Sequence, residues 1–197
     1  MDWNDAYKEV IGLDAPWESQ GPSPFLIRLL AEGYVKSGKA LDVGCGFGTN
    51  SIFLAQKGFT VVGIDLATKA TRLAAERAKQ GNAAVEFRAV DFFEYQNPEL
   101  FDFVFDRGFF HVLEQNQREA YFKKVSSLLK SSGLLSLEAF SEDNDRADAF
   151  LHYFKLEELR LLFRDHFILI LNDTTEHQEP GKNGKKRFLH ALLLEKK

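Results

Sequence analysis

The chain has 197 residues, a formal net charge of −4 and a single cysteine. A domain of this length buries about 70% of its unfolded surface, so one substantial core is expected. The acidic balance argues against a general nucleic-acid binder, the lone cysteine excludes an internal disulfide and fits a reducing, cytoplasmic setting, and no apolar run approaches the roughly 20 residues that cross a bilayer.

Taken in chain order, Trp3, Tyr7, Val10 and Ile11 share one helical face, in a start without the basic and apolar regions of a signal peptide. Ser23-Pro24 opens a helix with proline at its first position, and Phe25, Leu26, Leu29 and Leu30 form its apolar side. Ala40 to Val43 reads as a buried strand carrying Asp42. Glycine then stands at every second position, Gly44, Gly46 and Gly48, around Cys45. The following helix is capped by Thr49 or Asn50 and ended by Gly58. Phe59 to Asp65 is a second buried strand, and Thr68 to Gln80 a helix closed by Gly81. Val85 to Asp91 and Phe101 to Asp106 read as the third and fourth strands. Gln115 to Leu129 is helical, with Tyr121, Phe122, Val125, Leu128 and Leu129 inward. Gly133 to Phe140 is the fifth strand, Leu156 to Phe163 a helix, and Phe167 to Leu171 and Arg187 to Leu194 the last two strands. Only the turn-rich Glu179 to Gly184 comes between those two, so they pair as an antiparallel hairpin. Alternating strands and helices specify an α/β fold, a doubly wound, mostly parallel sheet.

Strand, glycine loop and helix make a cradle for a nucleotide-type cofactor at the carboxyl end of a parallel strand. A dinucleotide fingerprint needs a glycine or alanine where this chain has Thr49. The spacing is instead G-x-G-x-G with Asp42 two residues before the first glycine. It resembles motif I of the class I S-adenosylmethionine-dependent methyltransferases. Asp65, 21 residues beyond Gly44, stands where an acid accepts bonds from both ribose hydroxyls, with Leu66 beside it. A helix-start acid is the plainer alternative for Asp65. The resemblance implies that Asp91 meets the adenine amino group and that Val90 or Phe92 packs on the ring. Asp106 and Arg107, at the end of the fourth strand, would face the methionine part of the cofactor and the substrate, with an organising role in the loop as the alternative for Asp106. Cys45 is a small residue of the loop facing the cofactor rather than a nucleophile, having no basic partner nearby in sequence. The resemblance runs from about Trp17 to Leu194 and implies a Rossmann-like, seven-stranded sheet ending in the hairpin.

The fourth strand ends in Asp106-Arg107-Gly108-Phe109 and lacks the Pro-Pro pair common in enzymes that methylate amino groups of adenine, cytosine or glutamine. With Ala15-Pro16-Trp17-Glu18 upstream, the chain is similar to the thiopurine, thiol and tellurite-resistance methyltransferases, in which a Pro-Trp-Asp/Glu element closes over the cofactor; here Gln20 precedes Gly21, a departure from that pattern. We expect a single domain over 1–197, with 1–21 a lid-like segment and 22–197 the core. The expected partner is a small-molecule acceptor (a thiol, hydroxyl or similar nucleophile), with no nucleic acid, no membrane and a monomeric or weakly dimeric state.

Methyl transfer needs a nucleophile held in line behind an already electrophilic methyl, so few side chains need act chemically. A soft nucleophile needs no general base, while a hydroxyl usually does. His111 is the base candidate by position, with a packing role as its alternative. His152 and Tyr153 stand where substrate contacts often lie. No cysteine–histidine cluster has metal-ligand spacing, so no metal is expected. A nicotinamide-dependent oxidoreductase and a catalytically silent S-adenosylmethionine-binding protein remain alternatives. The cofactor assignment sets up a thermal test. S-adenosylmethionine at 100 times its dissociation constant should add about 2.7 kcal/mol, or roughly 5–11 °C in melting temperature. A shift of that size with NAD and none with S-adenosylmethionine would overturn the assignment.

Overall fold

In a computed structural model the chain is described over residues 2–8, 10, 15, 17–19, 21–144, 151–178 and 186–197. Two short elements come first, helix α1 (Trp3–Lys8) and helix α2 (Pro24–Ala31). The doubly wound part follows: β1 (Lys39–Val43), α3 (Thr49–Gln56), β2 (Thr60–Asp65), α4 (Thr68–Gln80), β3 (Val85–Ala89) and β4 (Phe101–Arg107). Then come α5 (Arg118–Leu128), β5 (Leu129–Phe140), α6 (Leu156–Phe163), β6 (Phe167–Gln178) and β7 (Lys186–Lys196).

These strands form one seven-stranded sheet in the order β3-β2-β1-β4-β5-β7-β6. The first five are parallel; β7 runs antiparallel to both β5 and β6. Chain order reverses across β1, which pairs with β2 on one side and β4 on the other. A crevice opens at such a switch point, outside the carboxyl ends of the strands.

Alternation along the strands splits the core into two layers. Leu41, Val43 and Val104 face one side, with Tyr121, Phe122 and Val125 of α5 and Leu159 and Phe163 of α6. Ala40, Phe103 and Phe105 face the other, with Phe25, Leu26 and Leu29 of α2 and Leu54 of α3. The Ser23 side chain caps α2 by accepting from the Leu26 N–H at 3.2 Å. Proline occupies the next position, where a missing N–H costs nothing.

Several boundaries differ from the sequence expectation. Helix α1 stops at Lys8, so Val10 lies beyond it; Ile11, Pro16, Gln20 and the 179–184 turn lie outside the described residues. Neither Thr49 nor Asn50 caps α3: Gly48 takes the cap position in a left-handed conformation, φ 75°. Strand β3 ends at Ala89, and Asp91 sits in the turn beyond it, its Oδ1 accepting from the Phe93 N–H at 2.7 Å. Leu129 belongs to β5 rather than to the preceding helix, because its backbone pairs with Phe101 across an irregularity in the β4–β5 ladder. Strand β6 runs on to Gln178 because β7 offers it a partner along its whole length.

Phe110 shows how the layers lock. Its buried ring lies 5.0 Å from Tyr121, 5.2 Å from Phe122 and 5.2 Å from Phe154, centroid to centroid. Phe110→Ala should therefore cost about 3–5 kcal/mol of folding stability in a denaturant titration. A loss under about 1 kcal/mol would mean that the surrounding rings close over the gap.

Candidate functional site

A cavity of about 620 Å³ occupies the crevice outside β1, β2 and β4. Its size lies within the usual range for small-molecule sites. One end is bounded by Asp65 and Leu66 at the end of β2 and by Val90, Asp91, Phe92 and Phe93 after β3. Gly44, Cys45, Thr49 and Asn50 form its floor, and Trp3, Tyr7, Trp17, Glu18 and Ser19 border it from the amino-terminal segment. The far end is made by Arg107, Gly108, Phe109, His111, Val112, Leu113, Phe140, Leu151 and Leu189, with Glu114 and Gln117.

The glycine loop is tied at several points. The Cys45 N–H donates to the Ile64 carbonyl at 2.9 Å, and the Gly46 N–H to Oδ2 of Asp65 at 2.9 Å. A side chain at Gly44 would meet Cβ of Phe109 at 2.9 Å, and φ there is +65°. Glycine at 44 therefore satisfies a tight turn and leaves backbone, not side chain, at the cavity floor.

Asp65 does two jobs at once. Besides Gly46, it takes the Ala67 N–H on Oδ1 at 2.8 Å at the start of α4. Each carboxylate oxygen has two lone pairs, so acceptor capacity remains toward the cavity. Burial lifts its pKa, and the backbone N–H groups act against that rise. The helix-start role and an open acceptor face coexist in one carboxylate.

Among the residues expected from sequence, Trp17, Gly44, Cys45, Asp65, Leu66, Val90, Asp91, Phe92, Arg107 and His111 meet around the cavity. Asp42, Gly46, Gly48 and Asp106 do not border it. Asp42 is buried and accepts from Ser51 Oγ at 2.5 Å. Asp106 is buried beneath the following turn, accepting from the Phe109 N–H at 3.0 Å, the Phe110 N–H at 3.3 Å and the Tyr121 hydroxyl at 2.7 Å. It organises the loop instead of facing a ligand. Burial pushes both Asp42 and Asp106 up to about 7. Cys45 is buried, and its thiol is pushed well up by burial, so it stays protonated. His111 is nearly buried, its ring 4.3 Å from that of Phe140. His152 and Tyr153 do not border the cavity. The His152 N–H donates to the His111 carbonyl at 2.8 Å, and the Tyr153 hydroxyl accepts from Arg187. Among the described residues no cluster of three or more metal-ligating side chains occurs.

Sequence reasoning missed Glu18, the neighbour of Trp17. Its Oε1 accepts from the Phe47 N–H at 2.8 Å and from the Tyr7 hydroxyl at 3.1 Å, and a side chain at Gly46 would collide with it. Burial lifts its pKa. The signal was present: the Pro-Trp-Glu element includes this acid. Glu138, the β5 residue that meets Arg107, left no such signal inside an apolar strand.

These shapes can be set beside known proteins. A family model described as a methyltransferase domain matches residues 40–133. Thiocyanate methyltransferase 1 of Brassica oleracea is 33% identical over 135 residues, 68% of this chain and 58% of that protein. The match thus spans little more than half of that relative's length. An uncharacterized methyltransferase of Schizosaccharomyces pombe is 34% identical over 105 residues, 53% of this chain and 72% of that protein. Among solved structures, one described as converting a disulfide bond into a thioacetal group during echinomycin biosynthesis superposes with a TM-score of 0.84. It is 20% identical and covers 98% of this chain and 91% of its own. The N-methyltransferase NodS of Bradyrhizobium japonicum, in complex with S-adenosyl-L-homocysteine, superposes with a TM-score of 0.75 at 16% identity, covering 98% of this chain and 96% of its own. At such identities the superpositions establish the fold alone.

The buried acids have a consequence for stability. A carboxyl whose folded pKa lies above its unfolded value holds more protons folded than unfolded. For Asp42 the contribution is full below its ordinary value of 3.8 and is lost as pH rises through about 7. Asn at this position cannot ionise. Asp42→Asn should therefore gain in melting temperature relative to the wild type between about pH 5 and about pH 8. A gap that stays constant or shrinks would show that Asp42 is not held protonated.

Proposed function

Because the chain belongs to the class I S-adenosylmethionine-dependent methyltransferase family, we propose that it transfers a methyl group from S-adenosylmethionine to a small-molecule acceptor. The observation that carries this is one continuous cavity joining the acid at the end of β2 to the apolar chamber beyond β4. The residues present suit the cofactor. Asp65 offers acceptor capacity to the ribose hydroxyls. Val90, Asp91, Phe92 and Phe93 suit an adenine ring and its amino group. Gly44 and Cys45 leave backbone free beside the methionine part, with Arg107 at its far end. When bound, the cofactor supplies an electrophilic methyl group on a sulfonium.

What this chain contributes is position and dryness. Phe109, Val112, Leu113, Leu151 and Leu189 make an apolar chamber that excludes water and holds an acceptor's nonpolar body. Holding the nucleophile in line supplies most of the advantage that a displacement needs. His111, which borders the cavity, is our candidate to take a proton from a hydroxyl acceptor, while a thiolate needs no such help. The domain is read as 1–197, with the segment 1–21 as a lid. Trp17 packs edge to face against both Trp3 and Tyr7, and Tyr7 packs edge to face on Phe47 of the glycine loop. They close one wall of the cavity and keep water from the reacting centre. The family resemblance to the thiol-methylating group, and the thiocyanate methyltransferase among its relatives, support a small, soft acceptor. Among the described residues no helix is long and apolar enough to cross a membrane. A single buried cysteine supports a cytoplasmic setting, and the net charge of −4 speaks against nucleic acid as substrate.

Release of S-adenosylhomocysteine across a panel of thiols, hydroxyls and amines tests this reading. Turnover of at least one small acceptor is expected, and its absence across the panel would favour a silent cofactor-binding protein. In the same assay Asp65→Ala should raise the KM for S-adenosylmethionine roughly 10- to 150-fold, since each bond to a charged group contributes about 1.5–3 kcal/mol. An unchanged KM would leave Asp65 with its helix-start role only.

A further inference from the structure

We infer that Glu138 sets the charge selectivity of the acceptor end of the cavity: by neutralising Arg107, it favours an uncharged nucleophile over an anion. The inference rests on the reading of this cavity as a cofactor-and-acceptor site. Arg107 and Glu138 are register partners at the carboxyl ends of neighbouring parallel strands. Nε of Arg107 stands 3.2 Å from Oε2 of Glu138. The arginine side chain is 10% exposed and the glutamate side chain 0%. The guanidinium therefore meets the cavity, and the carboxylate stands behind it.

The pair is held from both sides. Nη1 of Arg107 donates to Ser19 Oγ at 2.9 Å, tying it to the amino-terminal segment. Glu138 accepts from Ser23 Oγ, the same hydroxyl that caps α2. Burial lifts the Glu138 pKa, while the guanidinium, the Ser23 hydroxyl and Thr175 act against that rise. Oε1 is the oxygen that accepts from Ser23, and Oε2 faces the guanidinium as an ion-pair contact, so the geometry sets the carboxylate against Arg107.

The charges around the cavity are unequal. Glu18, Asp65, Asp91 and Glu114 border it as acids, and Arg107 is its one permanent cation among the described residues. An entering anion depends on Arg107 for attraction. At distances larger than the pair's own separation, Glu138 cancels most of that attraction. A neutral thiol or hydroxyl loses little by the cancellation, because it carries no net charge for that field to act on. On this account the acceptor of this chain differs in charge from thiocyanate, the anion named for a relative.

The test is calorimetric titration of thiocyanate into protein saturated with S-adenosylhomocysteine. Glu138→Gln keeps the shape and removes the charge, and should bind thiocyanate about 10-fold more tightly than the wild type. The double variant Glu138→Gln/Arg107→Gln should return to the wild-type affinity, since both charges are then gone. Packing damage weakens binding, so a gain is a readout that damage cannot mimic. Equal or weaker binding by Glu138→Gln, or a gain that persists without Arg107, would overturn the inference. Glu138→Met stands in should the glutamine variant not fold. If neither folds, Glu138 is a folding requirement and the inference falls. None of these measurements needs turnover. A chain that binds S-adenosylhomocysteine and methylates nothing defeats the functional reading while this test still decides. A chain that does not bind it defeats both.

Discussion

Four parallel strands carry an acid at or near their carboxyl ends, and the architecture of the crevice follows from how each is satisfied. A buried carboxylate without donors is costly, so the chain must bring donors to it. Asp42 in β1 draws in Ser51 of α3. Asp65 in β2 fastens the glycine loop through Gly46 and starts α4 through Ala67. Asp106 in β4 winds the turn over Phe109 and Phe110 and engages Tyr121 of α5. Glu138 in β5 holds Arg107 and Ser23. Each acid thereby shapes one wall of the same cavity.

This division of labour explains why acids of similar appearance have different duties. Asp65 keeps an open side toward the cavity. Asp42 and Asp106 are wholly enclosed, and burial pushes both up to about 7. They act as scaffolding, and the positions at which they hold Ser51, Tyr121 and the 109–110 backbone determine where the loops stand. Rings complete the scaffold. Phe92, Phe109 and Tyr121 lie within 5.1 to 6.2 Å of one another, so the wall after β3 and the turn after β4 pack as one body. A chain with 19 phenylalanines can build such walls without spending polar groups.

The described residues of the amino-terminal segment meet several parts of the crevice. Glu18 reaches the Phe47 N–H, Ser19 accepts from Arg107, and the Asn4 side chain accepts from the Thr68 N–H at the start of α4. The segment therefore touches the ends of three elements that form the crevice. Among its described residues, Tyr7, Val10 and Ala15 are buried with Phe47, Ala67 and Ala70 in a third, smaller apolar cluster.

Much of this was legible in the sequence. The short apolar runs of the buried strands, the glycine spacing after Asp42 and the 21-residue step from Gly44 to Asp65 are local patterns. They were enough for the strand–helix order, the terminal hairpin and the cofactor cradle, because backbone period and turn chemistry are local physics. The limits of α4 and α6 were readable for the same reason. What tertiary structure decided was which acids face ligand and which face core, since that depends on donors brought from distant elements. Asp106 could read as a cofactor contact or as a loop organiser until Tyr121 and the next turn enclosed it, and Glu138 carried no local signal until β4 set Arg107 beside it. Strand β5 likewise begins at Leu129 only because β4 is there to pair with it. A side chain's type and spacing are written in the chain; its burial and its partner exist only once the sheet has formed.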